Sequence, residues 1–345
     1  MTALGTAKVK KLVLDERYFE GPATVASWPE AELSYWYEAE TSAISFNDNC
    51  VALEMRPGRK PGRRPGILLA PDFGFIKIVN RAVTGAPGSP FTLDYRREPG
   101  ANKVVFFGSM PFSTGPAHSD FVSVHDPTRF AAETLKRIWR QKGLKVGKVI
   151  PWEKAGLREE LLDPVFSWQS EPLEDLVKIV NKNSHNFYAE QLLRTLGKES
   201  VGRGTFSDGL AAVDRFLAQA GLRGADYHLI DGSGLSEDNR FTAAGLVRLL
   251  RHMRATPLFP IYYESLAAPG RDHSMLRRMN GDPLAADMRL KRGTVAHARN
   301  LAGYFKSSGG RLYAFAVLVN GTGLDRQAVD AALDRLCLAA AHRLP

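Results

Sequence analysis

The stretch SHNFYAEQLLRTLG at residues 184–197 decides how this chain is interpreted, because it places a polar triplet between two helical patterns. Apolar residues recur at helical spacing before and after the triplet, and Gly197 is expected to end the second helix. Ser184, His185 and Asn186 should therefore lie in a break between helices, where side chains can project into a cleft. A serine hydroxyl there can relay a proton, and an asparagine amide can orient a carbonyl group or a lysine.

A second motif, KRGT at residues 291–294, begins a strand pattern much later in the chain. Lys291 could present a cation to Ser184 and to the carboxylate of a substrate. Gly293 removes a side chain where the backbone of a ligand would approach the strand, and Thr294 adds a hydroxyl at the same edge. The residue types of the two motifs are those that acyl transfer from an amide requires besides a nucleophile.

Each motif alone has a simpler explanation. A serine or asparagine at a helix boundary is usually a cap, and Lys-x-Gly is common in proteins of this size. His185 alone is interpreted as a cap or surface residue. The sequence DGSG at residues 231–234 lies between the two motifs and predicts a turn.

The composition describes an ordinary globular protein. The chain has 345 residues, 44% of them hydrophobic and 24% charged, and two domains are the natural expectation. No apolar run is long enough to span a bilayer. The two cysteines, Cys50 and Cys337, give neither a metal-binding spacing nor a disulfide framework, so we interpret them as buried thiols. We expect no metal and no cofactor.

The net charge of +9 raises the question of an anionic partner. The densest basic cluster is RPGRKPGRRPG at residues 56–66, a turn-rich loop without aromatic residues for stacking on bases. We interpret it as a solvated loop and expect no nucleic-acid partner. Weak attraction to an anionic cell wall or membrane surface would fit the same charge.

Residues 1–150 are predicted to form a β-rich region with a closing helix. Apolar alternation around Asn47-Asp48-Asn49 predicts a hairpin between strands at 43–46 and 50–55. Asp126 and Pro127 are predicted to begin the helix, which Gly143 ends. The other predicted strands lie at 67–70, 75–79, 91–95, 104–107 and 145–150.

Residues 151–345 are predicted to begin with helices and to end with strands. Helices are expected at 172–182, 187–196, 207–220 and 243–254, the third capped by Ser207 and the fourth by Thr242. Three strands follow at 290–294, 302–306 and 311–320, and an amphipathic helix at 324–343 closes the chain. Antiparallel strands backed by a terminal helix indicate an α+β fold.

Order, spacing and flanking sequence of the motifs resemble one family. The segments that carry the resemblance are SHNFYAEQLLRTLG (184–197), DGSGLSEDNRFT (231–242), KRGTV (291–295), LAGY (301–304), SFNDN (45–49) and IVN (78–80). They are similar to those of the D-alanyl-D-alanine carboxypeptidase/endopeptidase family, the low-molecular-mass class C penicillin-binding proteins. The resemblance implies a penicillin-binding, serine β-lactamase-like transpeptidase domain, present in part, with an inserted β-rich domain.

The resemblance also implies a chemistry. The family's serine acyl-enzyme mechanism acts on D-Ala-D-Ala ends or on peptide cross-links of peptidoglycan, and β-lactams acylate the same serine. By matching motifs, Ser184 would relay a proton to the leaving group, Asn186 would orient the substrate or lysine, and Lys291 would polarise Ser184. Gly293 matches the third motif with Lys291, and Thr294 would help to hold the substrate carboxylate. Expected partners are therefore peptidoglycan stem peptides, and β-lactams where a nucleophile is supplied.

The sequence departs from the family in two respects. The nucleophile motif Ser-x-x-Lys is absent, since no serine of the chain has lysine three residues later. Arg292 stands where the family usually has threonine, and its long cation could clamp a carboxylate or crowd the cleft. We therefore expect no nucleophile in this chain and no catalysis by the chain alone. A serine–lysine dyad of Ser184 and Lys291 is the remaining alternative.

Three hypotheses account for the missing motif. The chain could be the C-terminal portion of a working carboxypeptidase, a non-catalytic relative that binds peptidoglycan peptides or proteins, or a relic that folds poorly. The family acts outside the cytoplasm, in the periplasm or beyond. The first residues show no signal peptide, so the sequence as written predicts a cytoplasmic chain.

Overall fold

The computed structural model describes residues 8–113, 115–321 and 323–345. The chain divides into two compact units, Met1–Trp168 and Gln169–Pro345. The two buried cysteines carry free thiols, as predicted.

The first unit consists mainly of short strands. Its elements are β1 (Lys8–Leu14), β2 (Cys50–Arg56), β3 (Gly66–Ala70), β4 (Lys77–Asn80), β5 (Val83–Gly85), β6 (Asp94–Arg97), β7 (Lys103–Phe107), β8 (Ser109–Pro111), β9 (His118–Ser123), α1 (Pro127–Gln141) and β10 (Lys145–Pro151). Asp126 caps α1 by accepting a hydrogen bond from the Arg129 N–H, as predicted. We propose that the inserted region ends near residue 150, because β10 pairs in parallel with β1 and so returns the chain to where the unit begins.

The strands of the first unit form several small sheets around one core. Strands β3, β2 and β9 are antiparallel neighbours, and β4, β7 and β6 form a mixed sheet. Strands β5 and β8 pair in parallel. Alternate residues of β2 and β7, among them Leu53, Met55, Val104 and Phe106, pack with Phe130 of α1 in this core.

The hairpin predicted at Asn47-Asp48-Asn49 is wrong. These three residues form a left-handed turn with φ values of 52°, 52° and 55°, and no strand precedes it at 43–46. The side chains hold the turn, since Asn47 Nδ2 donates to the Cys50 carbonyl and Asn49 Nδ2 to the Glu40 carbonyl, each at 2.8 Å. Asparagine and aspartate tolerate this backbone conformation because their short side chains hydrogen-bond locally.

The second unit begins with helices and ends with a sheet and a helix, as predicted. Its elements are α2 (Leu173–Asn183), α3 (Asn186–Val201), α4 (Phe206–Gln219), β11 (Tyr227–His228), β12 (Arg240–Phe241), α5 (Ala243–Arg254), α6 (Phe259–Ser265), β13 (Arg289–Val295), β14 (Ala298–Lys306), β15 (Leu312–Asn320) and α7 (Arg326–Arg343).

Strands β13, β14 and β15 form an antiparallel sheet with helices on both faces. On one face Leu301 and Phe305 pack with Val329 and Leu333 of α7. On the other face Tyr304 packs near α5 and donates a hydrogen bond of 2.6 Å to the Leu250 carbonyl. The period of two along β14 therefore separates two cores.

The predicted end of α3 at Gly197 is wrong, because the helix continues to Val201 and ends at Gly202 with φ 81°. Gly197 lies inside the helix at a close contact with α4, where an added Cβ would lie 2.8 Å from the backbone nitrogen of Gly209. The cap of α4 is Thr205 rather than the predicted Ser207, and it accepts a hydrogen bond from the Asp208 N–H. The close packing of α3 against α4 therefore explains the glycine at position 197, although glycine is unfavourable inside a helix.

This contact predicts that Gly209→Ala destabilises the protein. Alanine at an unconstrained helix position would stabilise by about 1 kcal/mol, but a Cβ at Gly209 would lie 2.1 Å from the Leu193 carbonyl oxygen. We expect a loss of roughly 1–3 kcal/mol in the free energy of unfolding by urea. The control is Gly224→Ala, where nothing lies within 4 Å of the new Cβ and the change should stay within about 0.5 kcal/mol. Equal effects of the two variants would contradict the argument.

Candidate active site

Ser184 and His185 lie in the break between α2 and α3, as predicted, whereas the third residue of the triplet already belongs to α3. Ser184 ends α2 in a left-handed conformation, φ 56° and ψ 53°, and the N–H groups of Ser184 and His185 both donate to the Val180 carbonyl. Asn186 is the first residue of α3. These two hydrogen bonds to the Val180 carbonyl end α2 and set the direction in which α3 begins.

Lys291 and Ser184 meet, although they are 107 positions apart in the sequence. The Lys291 Nζ donates to Ser184 Oγ at 2.7 Å and to the Arg292 carbonyl at 2.8 Å. Lys291 lies on β13 opposite Ala302 of β14. Strand β13 therefore places the Lys291 ammonium beside Ser184 at the end of α2.

The environment of Lys291 disfavours its charge. The residue is half-buried overall, and its ammonium end is the enclosed part. Burial, followed by repulsion from Arg292, lowers the pKa of Lys291 to about 8. Among the described residues Lys291 forms no ion pair with a carboxylate. Near neutral pH the group can therefore exchange a proton with the Ser184 hydroxyl, or attract an anion that enters the site.

Gly293 is not required by the fold. An added Cβ would meet only Asn300, at 3.5 Å from its Cβ and 3.6 Å from Nδ2, which is ordinary contact. Strand alternation places Gly293 on the same side of β13 as Lys291. The open space above Gly293 therefore belongs to the site rather than to the packing of the sheet.

Arg292 and Thr294 alternate with Lys291 and pair with the opposite face of β14. Arg292 lies across from Leu301, and Thr294 across from Arg299. Burial lowers the pKa of Arg299, and the positive charges of Arg326 and Arg292 contribute. Arg292 thus joins a group of arginines whose mutual repulsion a bound anion would relieve.

The DGSG segment forms the predicted turn and also lines a cavity. Asp231 accepts hydrogen bonds from the N–H groups of Gly234 at 2.7 Å and Ser236 at 2.6 Å, and from Asn239 Nδ2 at 2.9 Å. Gly232 lies close to α3, where a Cβ would come within 3.0 Å of the Ala189 carbonyl oxygen. We call residues 231–236 the Asp231 loop.

Sequence reasoning missed Glu190, the residue of α3 that holds this loop. Glu190 is 1% exposed and accepts hydrogen bonds from the Gly232 and Ser233 N–H groups at 2.7–3.1 Å. Burial, followed by the charge of Asp231, raises its pKa to about 7. The signal was its place on the buried face of α3 with Phe187, Arg194 and Gly197, since a carboxylate on such a face needs partners.

A cavity of about 820 Å³ connects these features. Lys291, Arg292, Gly293 and Thr294 line it together with the Asp231 loop. Ser184 and Asn186 are not among the lining residues, and Ser184 reaches the site through its hydrogen bond to Lys291. Residues of β14 and β15 also line it, and apolar side chains of α3, α4, α5 and α6 form further walls. These include Leu193, Val213, Leu249 and Tyr262.

Two further properties concern only residues 8–113, 115–321 and 323–345. Within them, no three histidine, cysteine, aspartate or glutamate side chains cluster in a way that could hold a metal ion. No helix in the same ranges has the length and apolar character needed to cross a membrane.

The sequence matches a known family over nearly its whole length. The model of the D-Ala-D-Ala carboxypeptidase 3 (S13) family matches residues 1–341. The chain is 30% identical, over 97% of its length, to the D-alanyl-D-alanine carboxypeptidase of Actinomadura sp. (strain R39). It is 26% identical, over 90% of its length, to the D-alanyl-D-alanine carboxypeptidase DacB of Haemophilus influenzae. It spans 64% of the length of each relative.

The fold has a counterpart among solved structures. Penicillin binding protein 4 (dacB) from Haemophilus influenzae superposes with a TM-score of 0.86 at 23% identity, over 99% of this chain and 77% of that one. A structure of the same protein complexed with a β-lactam superposes with a TM-score of 0.77 at 21% identity, over 99% and 76%. The predicted α+β penicillin-binding fold is confirmed.

The enclosed Lys291 ammonium predicts a specific dependence of stability on pH. Its pKa is lowered from 10.5 to about 8 in the folded protein, so between these values the folded state binds fewer protons than the unfolded state. The free energy of unfolding contributed by Lys291 should therefore rise as the pH increases through this window, by at most on the order of 3 kcal/mol.

Urea unfolding at about pH 7 and about pH 10 measures this effect as the difference between wild type and Lys291→Met. The control is Lys306→Met, which removes an exposed lysine of the same sheet. The enclosed-ammonium argument would be refuted if the difference in unfolding free energy between wild type and Lys291→Met were the same at both pH values. It would also be refuted if Lys306→Met showed an equally large change with pH.

Proposed function

Because the chain belongs to the D-Ala-D-Ala carboxypeptidase 3 (S13) family, we propose that it forms the substrate-binding and proton-relay part of a serine-type D-Ala-D-Ala carboxypeptidase or endopeptidase of peptidoglycan metabolism. One observation carries the proposal. The Lys291 ammonium, enclosed and without a carboxylate partner among the described residues, donates to Ser184 Oγ at 2.7 Å beside a cavity that it also lines. Such a pair can pass a proton to a leaving amine and attract a terminal carboxylate.

The proposed roles follow the positions of the residues. Ser184 relays the proton, and Lys291 polarises the Ser184 hydroxyl. Asn186, at the start of α3, orients the substrate or Lys291. Gly293 leaves room for the substrate backbone along β13. Thr294 and Arg292 lie on the other face of β13, but β13 is an edge strand and both residues line the cavity. They reach the substrate carboxylate around this edge, with Arg292 acting as a charged clamp in place of the family's threonine.

The nucleophile in this proposal lies outside these 345 residues. No serine of the chain has lysine three residues later. The apolar walls of the cavity suit the side chains of an amphipathic helix better than they suit a polar peptide alone. We infer that a helix bearing the nucleophilic serine packs there and places that serine near Ser184 and Lys291. Peptidoglycan lies outside the cytoplasm, so we propose that the protein acts there.

A second candidate function is a non-catalytic peptidoglycan- or protein-binding relative. The absence of Ser-x-x-Lys from the sequence favours it. The two candidates differ in whether the protein isolated from its own source is acylated by a fluorescent penicillin. Labelling would support the carboxypeptidase, and binding of stem peptides without labelling would support the non-catalytic relative.

The first test is the intact mass of the purified chain after incubation with benzylpenicillin. We expect an unmodified mass, because Ser184 lies beside Lys291 but no separate nucleophile is present in the chain. A stoichiometric adduct on Ser184 would overturn the proposal of an external nucleophile and would identify the Ser184–Lys291 pair as a catalytic dyad.

The proposal also predicts that Gly293→Val weakens binding without unfolding the protein. An added Cβ makes only ordinary contact with Asn300 at this position, whereas a substrate backbone along β13 would need the same space. Titration calorimetry with diacetyl-L-Lys-D-Ala-D-Ala should show at least roughly tenfold weaker binding, corresponding to about 1.4 kcal/mol. The L-Ala-L-Ala peptide serves as the ligand control, and Gly224→Ala as the variant control. Absence of binding by folded wild type would reject the function, and unchanged affinity of Gly293→Val would reject the assigned path of the substrate.

A further inference from the structure

We propose that Glu190 is a positioning residue, which holds the Asp231 loop as a wall of the cavity and so sets where that wall lies relative to β13. Glu190 itself does not line the cavity and is not assigned to contact the substrate. The inference rests on the proposed function only for the identity of the ligand, because the positioning itself is a property of the second unit.

The contacts of Glu190 reach the loop backbone directly. Its Oε1 accepts the Gly232 N–H at 3.0 Å and the Ser233 N–H at 2.7 Å, and its Oε2 accepts the Gly232 N–H at 3.1 Å. Because Glu190 is 1% exposed, water does not offer these amides an easy substitute. One carboxylate thus fixes two successive residues of the loop.

The loop carries this constraint to the cavity. Asp231, immediately before the two held residues, fastens the other end of the turn through the Gly234 and Ser236 N–H groups. Asp231, Gly232, Ser233, Gly234 and Ser236 all line the cavity that Lys291 lines from β13. Displacing the Glu190 carboxylate would therefore move a wall of the site.

Charged groups from two elements act on Glu190. Asp231, on the loop, repels its charge, and Arg194, one turn later on α3, attracts it. Arg194 is also committed elsewhere, since its Nε donates to the Gly204 carbonyl at 3.0 Å and its guanidinium lies over the Phe206 ring. Burial and Asp231 outweigh the hydrogen bonds, and the pKa of Glu190 rises to about 7.

The sign of the pH effect follows. The folded state holds a proton on Glu190 up to about pH 7, whereas the ordinary value is 4.5. The contribution of Glu190 to stability is therefore greatest below pH 4.5 and is lost as the pH rises through 7. The hydrogen bonds to the loop change in the opposite sense, because the ionised carboxylate is the stronger acceptor. Above the Glu190 pKa the Gly232 and Ser233 amides should be held most firmly, while Asp231 is repelled, so the loop responds to the ionisation of Glu190.

Amide NMR tests the inference in the intact chain. In wild type, the amide resonances of Gly232 and Ser233 should titrate with a midpoint near pH 7, and those of Gly293 and Thr294 on β13 should follow with the same midpoint. Glu190→Gln should remove the transition near pH 7 from all four resonances and leave at Gly293 and Thr294 only that of Lys291 near pH 8. The matched control is Glu199→Gln, an exposed glutamate of the same helix, which should leave them in place.

A binding measurement gives a second readout. The ratio of the affinities of wild type and Glu190→Gln for diacetyl-L-Lys-D-Ala-D-Ala should rise roughly fivefold between about pH 6 and about pH 8, corresponding to about 1 kcal/mol. The ratio cancels the titration of Lys291, which both proteins share.

The outcomes separate the two proposals. The positioning role would be overturned if the chemical shifts of Gly232 and Ser233 did not change with pH. It would also be overturned if the β13 resonances showed no transition near pH 7. If Glu190→Gln does not fold, titration of Lys291→Met decides this point, because the β13 transition near pH 7 should persist without Lys291. A wild type that shows both transitions but binds no peptide would uphold the positioning role and reject the proposed function.

Discussion

The second unit is organised around an ammonium group enclosed beside a hydroxyl. A lysine end without a carboxylate partner among the described residues is costly, and the lowered Lys291 pKa expresses that cost. Hydrogen bonds from Lys291 Nζ to Ser184 Oγ and to the Arg292 carbonyl offset part of this cost. Both acceptors depend on larger features: Ser184 on the left-handed end of α2, and the carbonyl on the edge strand β13.

A second set of buried charges stabilises the opposite side of the site. Glu190 and Asp231 lie close enough to repel each other, yet each accepts backbone N–H groups of the same loop. The loop therefore depends on α3 as well as on its own turn. Since α3 begins at Asn186, one helix supports both the Ser184 break and the wall of the cavity.

The sequence allowed the sheet to be predicted because strand periodicity is a local signal, whereas the pairing of Ser184 with Lys291 was expected from the resemblance of the two motifs to a family. Three features required tertiary information. Gly197 resembled a helix end until its contact with α4 was known. Asn47 and its neighbours resembled a hairpin, although side-chain hydrogen bonds hold a left-handed turn. The pattern of α3 marked Glu190 as a buried carboxylate that needs partners, but those partners are backbone amides, which no residue pattern identifies.

The charges of the cavity favour an anionic ligand. Lys291 carries a charge that no carboxylate of the described residues neutralises, and Arg292 adds to the repulsion around both Lys291 and Arg299. A protein interior retains such an imbalance when a ligand supplies the opposite charge, because binding then relieves a cost already present in the fold. A terminal carboxylate beside Lys291 would do so, while the apolar walls would still need a packed helix to exclude water. The two requirements are distinct, so under the proposed function recognition of the substrate and supply of the nucleophile can reside in different parts of a polypeptide.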